Sequence, residues 1–234
     1  MKSYLSIAPA PVQRVLRDLY HFFFNHGHIF YSQNGEDVIL SSQFKKKPIG
    51  FYVDFGAHHP TRYSNTYLLY KKGWRGINVD ANESLINVFS KKRPRDISVC
   101  KAIGADGEQL EYFMFEDAAV NTFSPSEAQK WKDSKWNKYI GSKVMTTESP
   151  NTILKNYLPP NTKIDLLSVD VEGLDFNLLS SLDFNLFRPE VIVVEDTDFN
   201  FSEPAASQIY KYLDSKNYTL ISVVKFSLIF KSKS

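Results

Sequence analysis

The chain has 234 residues, of which 43% are hydrophobic and 23% charged, a balance that suits one globular domain with a self-sufficient core. A net charge of +2 excludes a dedicated nucleic-acid binder, and no apolar run approaches the roughly 20 residues that span a bilayer. A single cysteine, Cys100, excludes an intrachain disulfide and, with a start too weakly apolar for a signal peptide, points to a reducing, cytoplasmic compartment.

Val12, Val15, Leu16, Leu19 and Phe23 recur at helical spacing behind Pro9 and Pro11. They predict an amphipathic helix, and residues 1–30 are set apart as a helical extension to a single domain over 31–234. The aromatic stretch "LYHFFFNHGHIF" is expected to pack on the protein's own domain rather than on a membrane. Asn34–Gly35 marks a turn into a short helix, and Pro48 and Gly50 then break the chain.

From there strands and helices alternate. "GFYVDFG" is a strand, "SNTYLLYKKGW" a helix, "GINVDA" a strand and "ESLINVFSKK" a helix ended by Pro94. "ISVCKAIGA" reads as a third strand and "QLEYFMF" as a period-two strand. Residues 117–147 are polar, spotted with aromatics and without clear pattern, which marks an insertion or lid. "IDLLSVDVEG" and "PEVIVVED" are apolar strands, separated by "LDFNLLSSL" and followed by the helix "EPAASQIYKYLDSKN". "YTLISVV" and "FSLIFK" close the chain as an antiparallel pair. Such alternation, with near-continuous apolar strands, predicts a mostly parallel sheet covered by helices on both faces. Cys100 reads as a small core residue, and the clusters Lys45–Lys46–Lys47 and Lys91, Lys92, Arg93 and Arg95 as solvated charge.

Open parallel sheets bind ligands at the carboxyl ends of their strands. The strand ends here carry Asp54-Phe55-Gly56-Ala57-His58-His59, then Asp80, then Ala102-Ile103-Gly104, then Asp170-Val171-Glu172-Gly173, then Glu195-Asp196. Gly56 permits a tight turn and close backbone approach. Asp80, 24 residues further on, is placed to accept hydrogen bonds from both hydroxyls of a ribose, or else to cap the following helix, a task Asn82 or Ser84 could also perform. The dinucleotide fingerprint G-x-G-x-x-G is absent: after Gly56 come Ala57, His58, His59 and Pro60, and Pro60 removes a backbone donor. That disfavours pyrophosphate and favours a nucleoside cofactor without phosphate, such as S-adenosylmethionine.

The segments "YVDFGAHHPTRYSNTY", "GWRGINVDAN", "AIGADGEQLEYF" and "IDLLSVDVEGLDFNLL", in order and preceded by "YSQNGEDVIL", resemble the FkbM-type methyltransferases from about residue 31 to 196. The resemblance implies a Rossmann-like class I fold with a seven-stranded sheet, S-adenosylmethionine as donor, and O-methylation of a sugar, polysaccharide precursor or other small metabolite. By this similarity Asp54, Gly56 and Ala57 line the methionine side of the cofactor, Asp80 with Ala81 holds the ribose, and Ala102 and Ile103 flank the adenine. Asp170 and Glu172 with Gly173 match the D-V-E-G segment beside the reacting centre. His58, His59 and Pro60 depart from residues common in that family, so acceptor specificity does not carry over.

Methyl transfer to oxygen needs an aligned acceptor and a base. His58 and His59 suit that role, since a free imidazole titrates near pH ~6.5, although either could cap a turn instead. Asp170 and Glu172 are further candidates, as base, as histidine partner or as caps of the next helix. Glu36 and Asp37 could close over the cofactor or only charge a helix start. Phe113, Phe115, Phe123 and Trp131 are candidate stacking surfaces for a substrate ring, or core. A divalent metal on the two histidines with Asp170, Glu172 and Glu195 is disfavoured, because adjacent histidines lack the helical i, i+4 spacing. The expected partner is a small-molecule or glycan acceptor. The alternatives are a nucleotide-sugar or NAD-type Rossmann enzyme, or a non-catalytic cofactor-binding interaction domain.

Overall fold

The structure is a computed structural model that describes residues 9–21, 29–134 and 136–233. The chain divides into two compact units, Met1–Phe30 and Tyr31–Ser234. In the first, helix α1 (Ala10–His21) leaves Val12, Val15, Leu16 and Leu19 exposed as a stripe. Phe23 and most of the aromatic stretch after it lie outside the described residues. No described helix is long and apolar enough to cross a membrane.

The second unit is built on the apolar strands β1 (Phe51–Phe55), β2 (Arg75–Asp80) and β3 (Ile97–Cys100). After the short β4 (Ala102–Ile103), β5 (Gln109–Phe115) and β6 (Tyr139–Glu148) come β7 (Leu166–Val169), β8 (Val191–Glu195), β9 (Tyr218–Val224) and β10 (Ser227–Ser232). Seven of these form one sheet in the order β3-β2-β1-β7-β8-β10-β9. Neighbours run parallel except β10, which is antiparallel to both β8 and β9. This is the mostly parallel sheet with an antiparallel C-terminal pair that the sequence predicts.

Period-two alternation sends the strands' side chains to two cores. Val53, Phe55, Ile77, Val79, Leu167 and Val169 meet α6 (Pro150–Tyr157), α7 (Asp175–Ser181) and α8 (Gln208–Ser215) through Ile153, Leu154, Leu178, Leu179, Ile209 and Leu213. On the other face Tyr52, Leu166, Val193 and Ile229 pack in one cluster with Leu40 of α2 (Glu36–Gln43), Phe44 just after it, Leu69 and Tyr70 of α3 (Tyr67–Lys71), and Trp74. Helix α6 has clear start signals: Ser149 Oγ accepts the Thr152 amide at 3.1 Å, and Pro150 opens the first turn.

Three expectations need correction. "ISVCKAIGA" is not one strand: it divides at Lys101, so that Cys100 ends the third strand of the main sheet while Ala102 and Ile103 form β4. β4 joins a second sheet, β4-β6-β5, where Ala102 and Ile103 pair with Thr147 and Glu148. Residues 117–147 are not patternless. They hold a 3-10 turn (Ala118–Val120), helix α5 (Pro125–Ser134) and most of β6. β6 escapes sequence reading because only Thr147 in it is buried, so it shows no apolar alternation.

The third correction is Arg93. It follows α4 (Glu83–Lys92), amid the lysines and arginines read as solvated, yet it is fully buried. Its guanidinium donates to Thr66 Oγ1 and Asn78 Oδ1 at 3.0 Å and to Ser64 Oγ at 2.9 Å, and lies 3.6 Å from Asp96 Oδ2. The rings of Tyr52, Tyr67, Tyr70 and Phe89 surround it, centroids 5.2 to 5.9 Å away. Asp96 accepts from Tyr52 Oη at 2.6 Å, the Gly76 amide at 2.9 Å and Asn78 Nδ2 at 2.9 Å, and Thr66 in turn donates to Asp54 at 2.8 Å. Removing the cation leaves two buried carboxyls uncompensated. Arg93→Met is expected to lower the unfolding free energy by about 3–5 kcal/mol. The exposed Lys92→Ala should change it by less than about 0.5 kcal/mol. Urea denaturation of both variants checks this, and similar losses for the two would count against the buried-cation account.

Candidate active site

The main sheet reverses its winding between β1 and β7, the position where open α/β sheets bind ligands. Gly56 follows β1 with φ +79°, and a Cβ there would lie 1.7 Å from the Asp170 carbonyl oxygen. Only glycine lets the two strand ends approach this closely. A narrow cavity opens at these strand ends. Gly56 and His58 line it after β1, Asp80 and Ala81 after β2, Lys101 and Ile103 after β3, and Asp170, Val171 and Glu172 after β7. Tyr112 and Phe123, rings 4.7 Å apart, form a further wall with Ala118, Ala119 and Asn121.

Asp80 Oδ1 accepts the Asn82 amide at 2.8 Å and Oδ2 the His58 amide at 2.9 Å, so one lone pair on each oxygen remains for a ligand. Burial pushes its pKa up to about 6, against the pull of those two amides. The helix-cap task falls to Asn82, whose Oδ1 accepts the Ser84 amide at 3.1 Å.

The two histidines part company. His58, at φ +48°, is on the cavity wall with both ring nitrogens buried and unpartnered among the described residues. Burial, then His59 and Arg62, lower its pKa to about 4, so its ring is neutral near pH 7. His59 Nδ1 accepts the amides of Thr61 at 3.2 Å and Arg62 at 3.1 Å, and the residue lies off the cavity wall.

Asp170 Oδ1 is buried without a partner. Burial, followed by the charges of Glu172 and Glu195, holds its carboxyl well above the usual range. Glu172 stands in the left-handed region at φ +52°, its carbonyl accepting Thr122 Oγ1 at 2.7 Å. Burial and the neighbouring Glu195 and Asp175 raise its pKa to about 8. Asp175 pins this turn by accepting the amides of Val171 at 3.0 Å and Gly173 at 3.2 Å. Glu172 also lines a second, wider cleft of about 1080 Å³, which shares Gln33, Tyr63 and Ala119 with the first cavity.

Other candidates lie behind the wall. Asp54 shares the pleat side of Tyr52 and turns to Thr66 and the Arg93 network; burial raises its pKa. Ala57 packs with Ile86 and Phe89, and Ala102 with Tyr112 and Ala81. Glu36 accepts the Asn34 amide at 2.8 Å and Ser227 Oγ at 3.3 Å, holding the 33–34 loop that reaches the cavities. Asp37 accepts from the Tyr31 amide and Ser32 Oγ, each at 2.8 Å. Phe113 and Phe115 are core, Phe123 lines the cavity, and Trp131 lines the cleft. Sequence reasoning missed Tyr112, Asn121, Lys101 and Gln33. Tyr112 was legible as one face of a period-two strand; the other three carried no signal. Among the described residues no group of three or more His, Cys, Asp or Glu is arranged to hold a metal ion.

The donor set suits a nucleoside with a cationic end: a carboxylate for a diol, aromatic and apolar walls for a flat base, and unpartnered Asp170 Oδ1 for positive charge. No curated protein matches the chain. Among solved structures it is similar to a TehB-like SAM-dependent methyltransferase from Corynebacterium glutamicum, at 11% identity and TM-score 0.39, covering 96% of this chain and 100% of that one. It is also similar to an O-methyltransferase from Bacillus cereus in complex with SAH, at 10% identity and TM-score 0.45 over 97% and 92% of the two chains. A third is a TDP-rhamnose 3'-O-methyltransferase of calicheamicin biosynthesis, at 12% identity and TM-score 0.41 over 100% and 91%. The Methyltransferase FkbM domain matches residues 54–220, most of the chain. The chain therefore belongs to the FkbM methyltransferase domain family, and it is a methyltransferase.

Proposed function

We propose that the protein methylates a hydroxyl of a sugar, polysaccharide precursor or other small metabolite, with S-adenosylmethionine as donor. The observation that carries this reading is the junction at Glu172: one carboxyl borders both the narrow cavity at the strand ends and the wide cleft beside it. S-adenosylmethionine supplies an electrophilic methyl group on a sulfonium. Asp80 would take the two ribose hydroxyls, Tyr112, Phe123, Ala81 and Ile103 would enclose the base, and Asp170 would face the cationic end. His58 offers its neutral ring to the same end of the cavity.

Glu172 is our choice of base among the candidates. Its raised pKa, about 8, lies near working pH, where a general base is most effective, whereas His58 at about 4 is a weak one. It would receive the acceptor's hydroxyl proton as the new O–CH3 bond forms and the S–CH3 bond breaks. His59 is left as the cap of its turn, and Asp54, Ala57, Ala102 and Glu36 as supports behind the wall. The NAD-type alternative lacks the glycines for pyrophosphate, and Pro60 offers no amide at that turn.

Calorimetry with S-adenosylhomocysteine, with NAD as control, tests the donor assignment; binding of NAD in preference would overturn it. Asp80→Asn is expected to weaken S-adenosylhomocysteine about tenfold or more, the loss of charge-assisted bonds to a diol. Because only the ionised carboxylate accepts from both hydroxyls, wild-type affinity should fall as pH drops below about 6, and the variant should lose that dependence. Glu172→Gln should lower kcat by about 100-fold or more with little change in donor affinity. Since the base acts deprotonated, kcat/KM for the donor should rise with pH and level off above about 8 in the wild type only. A flat wild-type profile would remove Glu172 from the role.

A further inference from the structure

The wide cleft has a one-sided polar lining. Four of its carboxylates are already engaged. Asp117 Oδ1 accepts the Ala119 amide at 3.1 Å, Asp175 pins the 171–173 turn, Asp196 accepts Ser207 Oγ at 2.5 Å, and Glu127 pairs with Lys130 at 2.5 Å. Glu172, Glu195 and Asp198 take no side-chain hydrogen bond from any described residue, and Lys225 is the one lysine or arginine on the described wall. Burial and the charges of Asp175 and Glu127 push Glu195 up to about 7, against the pull of the Lys225 ammonium. The donor's own positive charge does not account for this lining, because Glu195 and Asp198 border the cleft and not the donor cavity.

A second, independent feature of the cleft is aromatic. Trp131 and Trp136 stand with ring centroids 5.7 Å apart on the cleft wall, and Trp136 is 66% exposed. The Trp131 indole N–H is buried with no partner among the described residues. Indole faces attract organic cations and stack on sugar rings, and an orphaned N–H is costly unless a ligand accepts from it.

We infer that the cleft takes a cationic, hydroxylated acceptor of the amino-sugar class, its ammonium group held by Glu195 and Asp198 beside the Trp131–Trp136 wall while the reacting hydroxyl reaches Glu172. The inference rests on the donor assignment above. Anionic acceptors, phosphorylated or uronic, are repelled by the same carboxylates, which gives specificity by exclusion as well as attraction.

The test uses the full chain saturated with S-adenosylhomocysteine and three probes of equal length: tetra-glucosamine, tetra-N-acetylglucosamine and tetragalacturonate. Calorimetry is expected to find tetra-glucosamine bound about tenfold or more tighter than its N-acetylated counterpart, and tetragalacturonate not bound. Glu195→Gln combined with Asp198→Asn should erase that preference while S-adenosylhomocysteine still binds. Equal or absent binding of the three probes, preference for the anion, or a preference that survives the double substitution would overturn the inference while the donor assignment stands. Failure of S-adenosylhomocysteine itself to bind would bring down the donor assignment, and this inference with it.

Discussion

The buried guanidinium of Arg93 is the contact on which the site's framework depends. A charge removed from water is costly unless paired and hydrogen-bonded, and here the compensation comes to the two terminal nitrogens from Ser64 and Thr66 before α3, Asn78 of β2 and Asp96 before β3, and to the guanidinium as a whole from a ring of aromatic faces. These partners tie the 57–66 loop to the sheet. The near end of that loop is fixed by the Gly56 and Ala57 amides, which both donate to the Val79 carbonyl at 3.0 and 3.1 Å. The far end is fixed by Ser64 and Thr66 on Arg93. His58 and Tyr63, the cavity residues between, are thereby carried on a loop anchored at both ends.

A second constraint is steric. The Asp170 carbonyl presses against Gly56 so closely that no side chain fits, and this sets the distance between the two strand ends that flank the cavity floor. The following turn then needs two successive residues with positive φ, Glu172 at +52° and Gly173 at +94°, held by Asp175 and Thr122. Such backbone geometry is costly for a glutamate and persists because its surroundings over-determine it. Its consequence is that the Glu172 carboxyl stands at the boundary of two cavities, where burial, and then the neighbouring carboxyls, make it hold its proton more tightly than a free glutamate would.

Much of this was open to sequence reading. Near-continuous apolar runs at "VIVV" and "DLLSV" require a sheet buried on both faces, and the spacing from Gly56 to Asp80 requires a turn and an acid at adjacent strand ends. Less was legible at the level of single side chains. Asp54 is at the right strand end, yet pleat parity with Tyr52 turns it away from the cavity, an alternation that could have been followed one residue further. His58 and His59 differ by one step along a loop, and only the amides of Thr61 and Arg62 decide which ring is occupied. Residues 117–147 supply walls to both cavities through the segment 117–123 and to the cleft through helix α5, and their polar composition hides this from sequence reading.

The sequence by itself determined the class of fold and the strand ends at which acids and a tight glycine turn gather, because these follow from local hydrophobicity and glycine geometry. Tertiary structure alone decided which charges are solvent and which are framework. In "KKRPRD" the lysines point to water while Arg93 enters the core, and nothing local separates them. The difference is made by hydroxyls, an amide and a carboxylate that lie up to 29 residues away in the chain and converge only when the sheet has formed.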